Sequence, residues 1–317
     1  MAIIEVENLT KRYGDTVAVD NISFKVNEGE ILGLLGPNGA GKTTTMRVLT
    51  CFMPATSGTA RVAGFDVFSQ SLDVRKRIGY MPENVPMYAE MRVNEYLNFR
   101  AKLKRVPRSK RKASIDAAVK KCGIGNMATK VIGTLSRGYR QRTGLADALL
   151  GEPDVLIFDE PLISLDPNQQ AEAKNVIKRL RGEHTVIFSS HILHDVEEVC
   201  HQLIIINEGR IVGKGTPEEL TKKFGSGAAI VAEVRGPAQE VKATIAAVPG
   251  VKDVKAHDAA DVATFDIAAD DNADPREAIA KAVVDKGWGL RDIRSVTLGL
   301  SEIFARLTLG QTQEVKA

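Results

Sequence analysis

Apolar and polar positions along the chain fall into blocks that predict strands and helices in turn. Short runs that are almost wholly apolar are typical of parallel strands buried on both faces. Such runs lie at 31–35, 155–158, 186–188 and 203–206. Segments with helical periodicity lie between them, at 45–50, 169–180 and 194–201. This order predicts an α/β fold with a mostly parallel central sheet.

The region after the first helix departs from simple alternation of strand and helix. A segment of Pro, Gly and Ser at 54–58 precedes a predicted strand pair near 60–62 and 78–81. From 93 to about 121 the periodicity is helical and no strand signal appears. We therefore predict a helical insertion at about 93–133 within the α/β domain.

Alanine and valine become frequent after residue 223. The predicted elements there are a strand at 229–234, a helix at 238–248, strands at 251–257 and 262–267, a helix at 275–286 and a strand at 290–296. The order βαββαβ predicts a small α+β, ferredoxin-like domain, which an amphipathic helix at 300–307 follows. We predict domains at 1–223 and 228–309, joined by a short linker, and a polar tail at 310–317.

The composition is that of an ordinary globular protein. With 317 residues, of which 44% are hydrophobic and 26% charged, the chain is long enough for two domains. A net charge of +3 is too small to indicate nucleic-acid binding by itself. The cysteines are far apart, which favours a reducing, cytosolic setting; they are Cys51, Cys122 and Cys200. No apolar run approaches the length of about 18 residues that spans a membrane, and residues 1–5 do not begin a signal peptide, so work at a membrane requires a partner chain.

The strongest chemical signal is a phosphate-binding loop between a predicted strand and a predicted helix. Residues 36–44 read GPNGAGKTT and fit the pattern G-x-x-x-x-G-K-[ST]. Glycine lets the backbone wrap a triphosphate with its N–H groups turned inward, and the helix start adds its positive dipole end. Lys42 is expected to reach the β- and γ-phosphates, and the Thr43 hydroxyl to ligate Mg²⁺. The candidate nucleotide ligands are Gly36, Pro37, Asn38, Gly39, Ala40, Gly41, Lys42, Thr43 and Thr44.

An acidic pair follows the buried strand at 155–158. Asp159 is placed to hold Mg²⁺ from the side opposite Thr43. Glu160 is placed to orient and polarise the attacking water, and general-base assistance of this kind contributes roughly 10²–10⁴-fold. Alone, the pair also fits an acidic cap of the next turn, but the phosphate loop upstream favours the metal and base roles.

A second anion-binding surface is predicted between these two motifs. Residues 135–142 read LSRGYRQR, with Ser136 at a predicted helix N-terminus and Gly138 allowing close backbone approach. The phosphate loop already binds the phosphates of its own site. We therefore expect Ser136 and Gly138 to act on a nucleotide that another subunit holds.

The succession of these motifs resembles that of ATP-binding cassette (ABC) ATPases, over about residues 3–220. LSxGxxQR lies downstream of GPNGAGKTT and upstream of DEP. The resemblance implies that Tyr13 stacks on adenine, an interaction worth about 1–3 kcal/mol for base–aromatic pairs. It also implies that His191 senses the γ-phosphate and that residues 165–167 cross a dimer interface. Glu83 falls where the family links the nucleotide site to the membrane subunit.

Some positions depart from the family pattern without removing the main groups. Glu83 replaces a usual Gln, which puts a negative charge near Mg²⁺ and predicts a weaker or water-mediated metal contact. Arg137 and Tyr139 replace a frequent Gly and Gln but leave Ser136 and Gly138 in place.

The loop after the acidic pair departs most from the pattern. Its usual Thr, small residue and Ala or Gly are replaced by Leu162, Ile163 and Ser164. Bulk at a tight dimer seam is expected to slow closure or hydrolysis.

The C-terminal sequence indicates which subgroup of ABC ATPases the chain resembles. Residues 301–308 read SEIFARLT, similar to the ending of ATPases from drug, polysaccharide and motility-type ABC exporters of the type-2 class. The resemblance implies a cytoplasmic ATPase subunit on the inner face of the cell membrane that energises export through a separate integral-membrane permease. It implies a homodimer that closes over two ATP–Mg²⁺, and no nucleic-acid partner is expected. The alternative is a soluble ABC-type regulatory ATPase, or a nucleotide-dependent module with weak hydrolysis.

Two further clusters have simpler interpretations. His194 and Glu198 lie at metal-ligand spacing on one predicted helix, but an exposed acidic and polar helix face is favoured. Residues 100–121 contain ten Lys or Arg and a single acid, Asp116. For this basic run a solvated face is favoured, with an interface to acidic loops or lipid headgroups second and nucleic acid third.

Overall fold

The computed structural model describes residues 1–224, 229–257, 262–270, 273–296 and 300–309. The chain divides into two compact units, Met1–Pro217 and Glu218–Ala317. The division falls at the start of a helix, Pro217–Phe224, that lies inside the predicted first domain. The predicted polar tail and most of the predicted linker lie outside the described residues.

The first unit alternates strands and helices. Its strands are β1 (Ala2–Tyr13), β2 (Thr16–Asn27), β3 (Ile31–Leu35), β4 (Ser57–Val62), β5 (Phe65–Asp66), β6 (Ile78–Met81), β7 (Val155–Phe158), β8 (Thr185–Ser190), β9 (Gln202–Asn207) and β10 (Arg210–Gly215). Its helices are α1 (Lys42–Leu49), α2 (Ser71–Arg77), α3 (Val93–Leu103), α4 (Arg108–Lys121), α5 (Arg137–Leu149), α6 (Pro167–Arg179) and α7 (Leu193–Val199), and α8 (Pro217–Phe224) begins at its end.

The larger sheet of this unit has the order β10-β9-β3-β8-β7-β6. Neighbouring strands in it are parallel except for β9 and β10. Every residue of β3 and β7 is buried, as expected for strands covered on both faces. The predicted α/β fold with a mostly parallel central sheet is confirmed.

A smaller antiparallel sheet has the order β2-β1-β4-β5. β4 pairs with β1, where Val62 lies opposite Ile4, whereas β6 pairs with β7 in the larger sheet, where Gly79 lies beside Leu156. The predicted pairing of 60–62 with 78–81 is therefore wrong. Apolar runs identify strands but not their partners, and α2, which the pattern did not reveal, lies between these two strands in the chain.

The apolar core of the first unit includes side chains from both sheets and from α1. Ile4 of the smaller sheet and Ile204 of the larger one belong to the same buried cluster as Met46 and Leu49 of α1. Burying one such side chain stabilises a protein by about 1.5–3 kcal/mol relative to leaving it exposed. This packing fixes the position of α1, whose first residue is Lys42.

α3 and α4 form the predicted helical insertion, and buried Asp147 of α5 ties α3 to α5. Arg100 Nε donates to Asp147 Oδ2 at 2.9 Å, and Lys104 Nζ lies 3.4 Å from Asp147 Oδ1. Lys104 also donates to the Asp147 carbonyl oxygen, and the Tyr96 hydroxyl donates to Oδ2 at 3.4 Å. Burial lowers the pKa of Lys104. The insertion is thus anchored to α5 by a charge cluster around the buried Asp147.

α7 packs so closely on the larger sheet that Gly33 of β3 has no room for a side chain, and this leads to a prediction. A Cβ there would lie 2.1 Å from Val196 Cγ1 and 2.9 Å from Leu203 Cδ2. Overpacking of this kind costs about 1–3 kcal/mol, so Gly33→Ala should lower the free energy of unfolding by that amount in urea denaturation. Gly125→Ala is the matched control, because its Cβ would meet nothing closer than 3.9 Å. Equal losses in the two variants would contradict the packing described here.

The second unit contains strands β11 (Ala229–Arg235), β12 (Val251–His257), β13 (Ala263–Ala269) and β14 (Gly289–Val296), with helices α9 (Ala238–Ala246), α10 (Arg276–Asp285) and α11 (Leu300–Leu309). Its sheet has the order β12-β13-β11-β14, and all pairs are antiparallel. Its core joins Ile230 and Phe265 of the sheet to Val241 of α9 and Ile279 of α10. The predicted βαββαβ, ferredoxin-like fold is confirmed.

Candidate nucleotide-binding site

The loop between β3 and α1 has a backbone that glycine adopts most readily. Gly39 and Gly41 have φ angles of 81° and 106°, which residues with a Cβ disfavour. A Cβ on Gly41 would also lie 2.5 Å from the carbonyl oxygen of Ala18, and one on Gly36 would lie 2.2 Å from that of Ile206. The loop therefore turns tightly from a buried strand into the N-terminus of α1, where free N–H groups favour an anion.

Lys42 is buried at the start of α1, with 5% of its surface exposed. Its ammonium donates to the carbonyl oxygens of Gly36 at 2.7 Å and Pro37 at 3.2 Å. It also lies 3.3 Å from Glu160 Oε1. A buried charge needs such partners because it has lost its water. Lys42 therefore joins the phosphate loop to the acidic pair that follows β7.

Asp159 is almost fully buried at the carboxyl end of β7. Its Oδ1 accepts hydrogen bonds from the hydroxyls of Thr43 at 3.1 Å and Ser189 at 2.9 Å. Burial raises the pKa of Asp159, and these two hydrogen bonds lower it in part. Thr43 and Asp159, which the sequence predicts as metal ligands, are thus in direct contact.

Glu160 is buried and adopts a left-handed backbone conformation, with φ of 48°. Its Oε2 is hydrogen-bonded to His191 Nδ1 at 2.9 Å. Its backbone N–H donates to Ser189 Oγ at 2.8 Å. Glu160, the predicted base, and His191, the predicted switch histidine, are therefore neighbours. Lys42 connects Glu160 to the phosphate loop.

The oxygen atoms gathered here fit a divalent cation. Hydroxyl and carboxylate oxygens are the ligands that Mg²⁺ prefers, and Thr43 and Asp159 supply one of each. Glu160 Oε1 is buried and accepts no hydrogen bond among the described residues, although the Lys42 ammonium lies 3.3 Å from it. The residues present therefore fit a Mg²⁺ ion beside the phosphate loop.

Ser136 and Gly138 lie at the N-terminus of α5. Ser136 is exposed and caps the helix, accepting a hydrogen bond from the Tyr139 N–H at 3.4 Å. Gly138 is buried against α6, where a Cβ would lie 2.6 Å from Gln169 Cδ. In the described structure no hydrogen bond or ion pair joins Ser136 to the phosphate loop of its own chain.

A family model described as ABC transporter matches residues 19–163 of this chain. The ABC transporter ATP-binding protein YxlF of Bacillus subtilis (strain 168) is 41% identical over 221 residues, which cover 70% of this chain and 73% of YxlF. The chain belongs to the ABC transporter ATP-binding family. Members of this ABC ATPase family generally hydrolyse ATP.

One further ABC protein is similar in sequence over nearly the whole chain, and a solved ABC structure is similar in fold. The daunorubicin resistance ATP-binding protein DrrA3 of Streptomyces coeruleorubidus is 29% identical and covers 99% of this chain and 98% of its own. A solved structure of an ABC transporter ATP-binding subunit has a TM-score of 0.63 at 26% identity, covering 70% of this chain and 93% of its own. The fold of the first unit therefore agrees with the ABC ATPase fold. Among the described residues, no helix is both long enough and apolar enough to cross a membrane.

Tyr13, the aromatic residue that the ABC pattern places on adenine, ends β1. Its side chain is 45% exposed, its hydroxyl donates to Met53 Sδ at 2.8 Å, and Lys11 Nζ lies 5.3 Å from the ring centre. The ring is thus held in place while part of it stays accessible to solvent.

Glu83, which replaces the usual ABC glutamine, is exposed two positions after β6 ends. The Met81 carbonyl oxygen of β6 accepts the Asp159 N–H at 2.9 Å, so this loop starts beside the acidic pair. Glu83 lines an open cleft of about 320 Å³ together with Arg137 and Gln141 of α5. The structure places Glu83 near α5 but records no hydrogen bond between Glu83 and Thr43 or Asp159.

The altered ABC loop after Glu160 turns one bulky residue inward. Leu162 is only 4% exposed, so its side chain lies within its own subunit. Ser164 is exposed with a φ of 58°, a conformation that favours glycine. Asp166 then caps α6 by accepting the Gln169 N–H at 3.0 Å. The expectation of bulk at a dimer seam therefore does not apply to the buried Leu162 side chain.

Two acidic residues of α7, Asp195 and Glu198, pair with lysines of α6. Glu198 accepts hydrogen bonds from Lys174 and from Lys178, the latter at 2.8 Å, and the Lys174 bond is the main cause that lowers the pKa of Glu198 to about 2. Asp195 is 2% exposed and lies 3.4 Å from Lys174. The predicted exposed polar face is confirmed for His194 and Glu198 and is wrong for Asp195, which is buried beside Lys174 of α6. Within the described ranges, no group of His, Cys, Asp or Glu is arranged to hold a metal by itself.

The basic run divides into inward and outward residues. Arg100 and Lys104 point to buried Asp147, and Lys121 pairs with Glu183 at 2.5 Å. Several of the others are exposed, including Lys102. Part of the run is therefore structural, and the three interpretations above apply only to the remainder.

Sequence reasoning missed Ser189 as a site residue. Its hydroxyl touches both members of the acidic pair, yet in the run Ser189-Ser190-His191 only the histidine has a predicted role. The available signal was a hydroxyl at the end of an apolar strand, two positions before His191.

Proposed function

We propose that this chain is the ATP-hydrolysing subunit of an ABC exporter, and that it energises export through a separate integral-membrane permease. The observation that carries the proposal is the contact of the acidic pair with the phosphate loop: Asp159 with Thr43, and Glu160 with Lys42. Relatives support the export role, among them the linearmycin resistance ATP-binding protein LnrL of Bacillus subtilis and the bacitracin transport ATP-binding protein BcrA of Bacillus licheniformis.

Each site residue has a role that its position supports. Lys42 and the N-terminus of α1 bind the phosphates, and Tyr13 stacks on the adenine. Glu160 accepts the proton of the attacking water, and His191 holds the Glu160 carboxylate in orientation through its 2.9 Å hydrogen bond. Thr43 and Asp159 would hold Mg²⁺, and Glu83 would lie near it. Bound Mg²⁺ supplies positive charge that neutralises the phosphates.

A second copy of the chain completes the site. Ser136 and Gly138 form a helix N-terminus suited to an anion, but in the described structure this surface is not joined to the subunit's own phosphate loop. In a symmetric dimer each helix N-terminus instead meets the nucleotide of its partner. ATP bridges the two copies and ADP bridges them poorly, so differential binding drives closing and opening. We place the dimer on the inner face of the cell membrane, bound to the permease, and expect no nucleic-acid partner.

Reconstitution tests the coupling to transport. The tagged chain and the membrane protein that purifies with it are placed in proteoliposomes, and ATP turnover is compared with that of the chain alone. We expect the permease to raise turnover, and Lys42→Ala to abolish it in both settings. Purification without any membrane protein, together with full activity of the chain alone, would favour a soluble regulatory ATPase.

The altered loop provides a prediction that separates an active ATPase from a module with weak hydrolysis. The double variant Leu162→Thr/Ser164→Gly restores the common residues of the family. Because Leu162 is buried in its own subunit, we expect no strong rise in steady-state turnover. A strong rise in turnover would instead favour the weak-hydrolysis alternative.

A further inference from the structure

β8 ends in two consecutive buried serines with different partners. Ser189 is fully buried and Ser190 is 3% exposed. Ser189 Oγ contacts Asp159 Oδ1 at 2.9 Å and the Glu160 backbone nitrogen at 2.8 Å. Ser190 Oγ contacts the Ile192 nitrogen at 2.9 Å. Only the first hydroxyl reaches the acidic pair.

The chemistry of the partners fixes the direction of these hydrogen bonds. The Glu160 N–H can only donate, so Ser189 Oγ accepts from it. The single hydroxyl hydrogen of Ser189 then donates to Asp159 Oδ1, which also accepts from Thr43. Two hydroxyls on one carboxylate oxygen restrict the orientation of the Asp159 side chain.

We infer that Ser189 is a positioning residue for ATP hydrolysis, because its hydroxyl ties the Asp159 carboxylate to the Glu160 backbone. This inference rests on the proposed function. Glu160 has a φ of 48°, a sparsely populated conformation that persists only where neighbours enforce it. The Ser189 hydroxyl enforces it by pairing the buried Glu160 N–H. One side chain thereby sets both the metal-holding oxygen and the placement of the base.

Ser190 provides a matched control. It is adjacent on the same strand, it is also buried, and its hydroxyl also accepts from a backbone N–H. Ser190→Ala and Ser189→Ala therefore remove the same chemical group from similar surroundings. The two changes differ in whether the lost hydroxyl touches the acidic pair.

The test compares these two variants in nucleotide binding and in turnover. Binding of a fluorescent ATP analogue is titrated in EDTA and in Mg²⁺, and kcat, KM and the Mg²⁺ concentration for half-maximal hydrolysis are measured. For Ser189→Ala we expect unchanged affinity in EDTA and a roughly 10–100-fold loss in kcat or in the response to Mg²⁺, as for other residues that orient metal ligands. Ser190→Ala should behave like wild type. Ser189→Thr, which keeps the hydroxyl, should recover most of the loss.

Equal effects of the two alanine changes would overturn the inference, and so would loss of affinity in EDTA for Ser189→Ala. If that variant does not fold, Ser189→Cys asks the same question, because a thiol keeps the shape but donates weakly. Wild-type protein that neither binds nor hydrolyses ATP would instead overturn the proposed function.

Discussion

Replacing Glu160 with Gln is expected to lower ATP turnover by at least roughly 10²-fold while leaving ATP binding intact. The amide keeps the size of the side chain but cannot take a proton from water at neutral pH. Lys42 keeps its two bonds to loop carbonyl oxygens, at 2.7 and 3.2 Å, so the phosphate loop should stay in place. Steady-state hydrolysis and equilibrium binding of ATP measure the two effects separately.

The same variant should accumulate as an ATP-bound dimer, because the bridging nucleotide is no longer cleaved. Light scattering after size-exclusion chromatography with ATP and Mg²⁺ reports the mass. Adding Ser136→Glu is the control, because a carboxylate at this exposed cap should repel the partner's nucleotide and restore the monomer. A Glu160→Gln protein that stays monomeric with ATP would count against the shared site.

Replacing Asp147 with Ala is expected to cost about 3–5 kcal/mol of the free energy of unfolding, as for other buried charges that lose their partner. Asp147 is 3% exposed and pairs with Arg100 and Lys104. The side chains of these two are 31% and 23% exposed, so water compensates for part of the lost pairing and we expect the cost to lie at the lower end of this range.

Urea denaturation monitored by circular dichroism measures the loss. Asp116→Ala is the control: Asp116 is the exposed acid of the same basic run, and surface changes of this kind stay within about 0.5 kcal/mol. Equal stabilities for the two variants would show that the charge cluster does not anchor the insertion.

Much of the first unit was predictable because its strands are buried on both faces. The apolar run 31–35 matches β3, and the glycine and lysine pattern that follows it has a direct backbone reason in the positive φ angles of Gly39 and Gly41. The pairing of β4 and β6 was not predictable, because hydrophobic runs carry no information about which sheet a strand joins. The inward side of α7 was missed for a related reason: Asp195 reads as polar, and only the fold brings Lys174 to it.

The candidate site shows the same limit. Motifs name the residues expected to meet the nucleotide, whereas Ser189 contacts those residues and has no role of its own in the motif that ends at His191. The buried position of Leu162 likewise depends on packing that its sequence neighbours do not specify.

The most direct test of a nucleotide site shared between two copies is ATP turnover per chain as a function of protein concentration, with Mg²⁺ present and with Lys42→Ala beside the wild type. We expect turnover per chain to rise with concentration until the dimer is saturated, and to vanish in the variant and in EDTA. Turnover per chain that is the same at every concentration, or that survives Lys42→Ala, would contradict a site completed by a second copy around this phosphate loop.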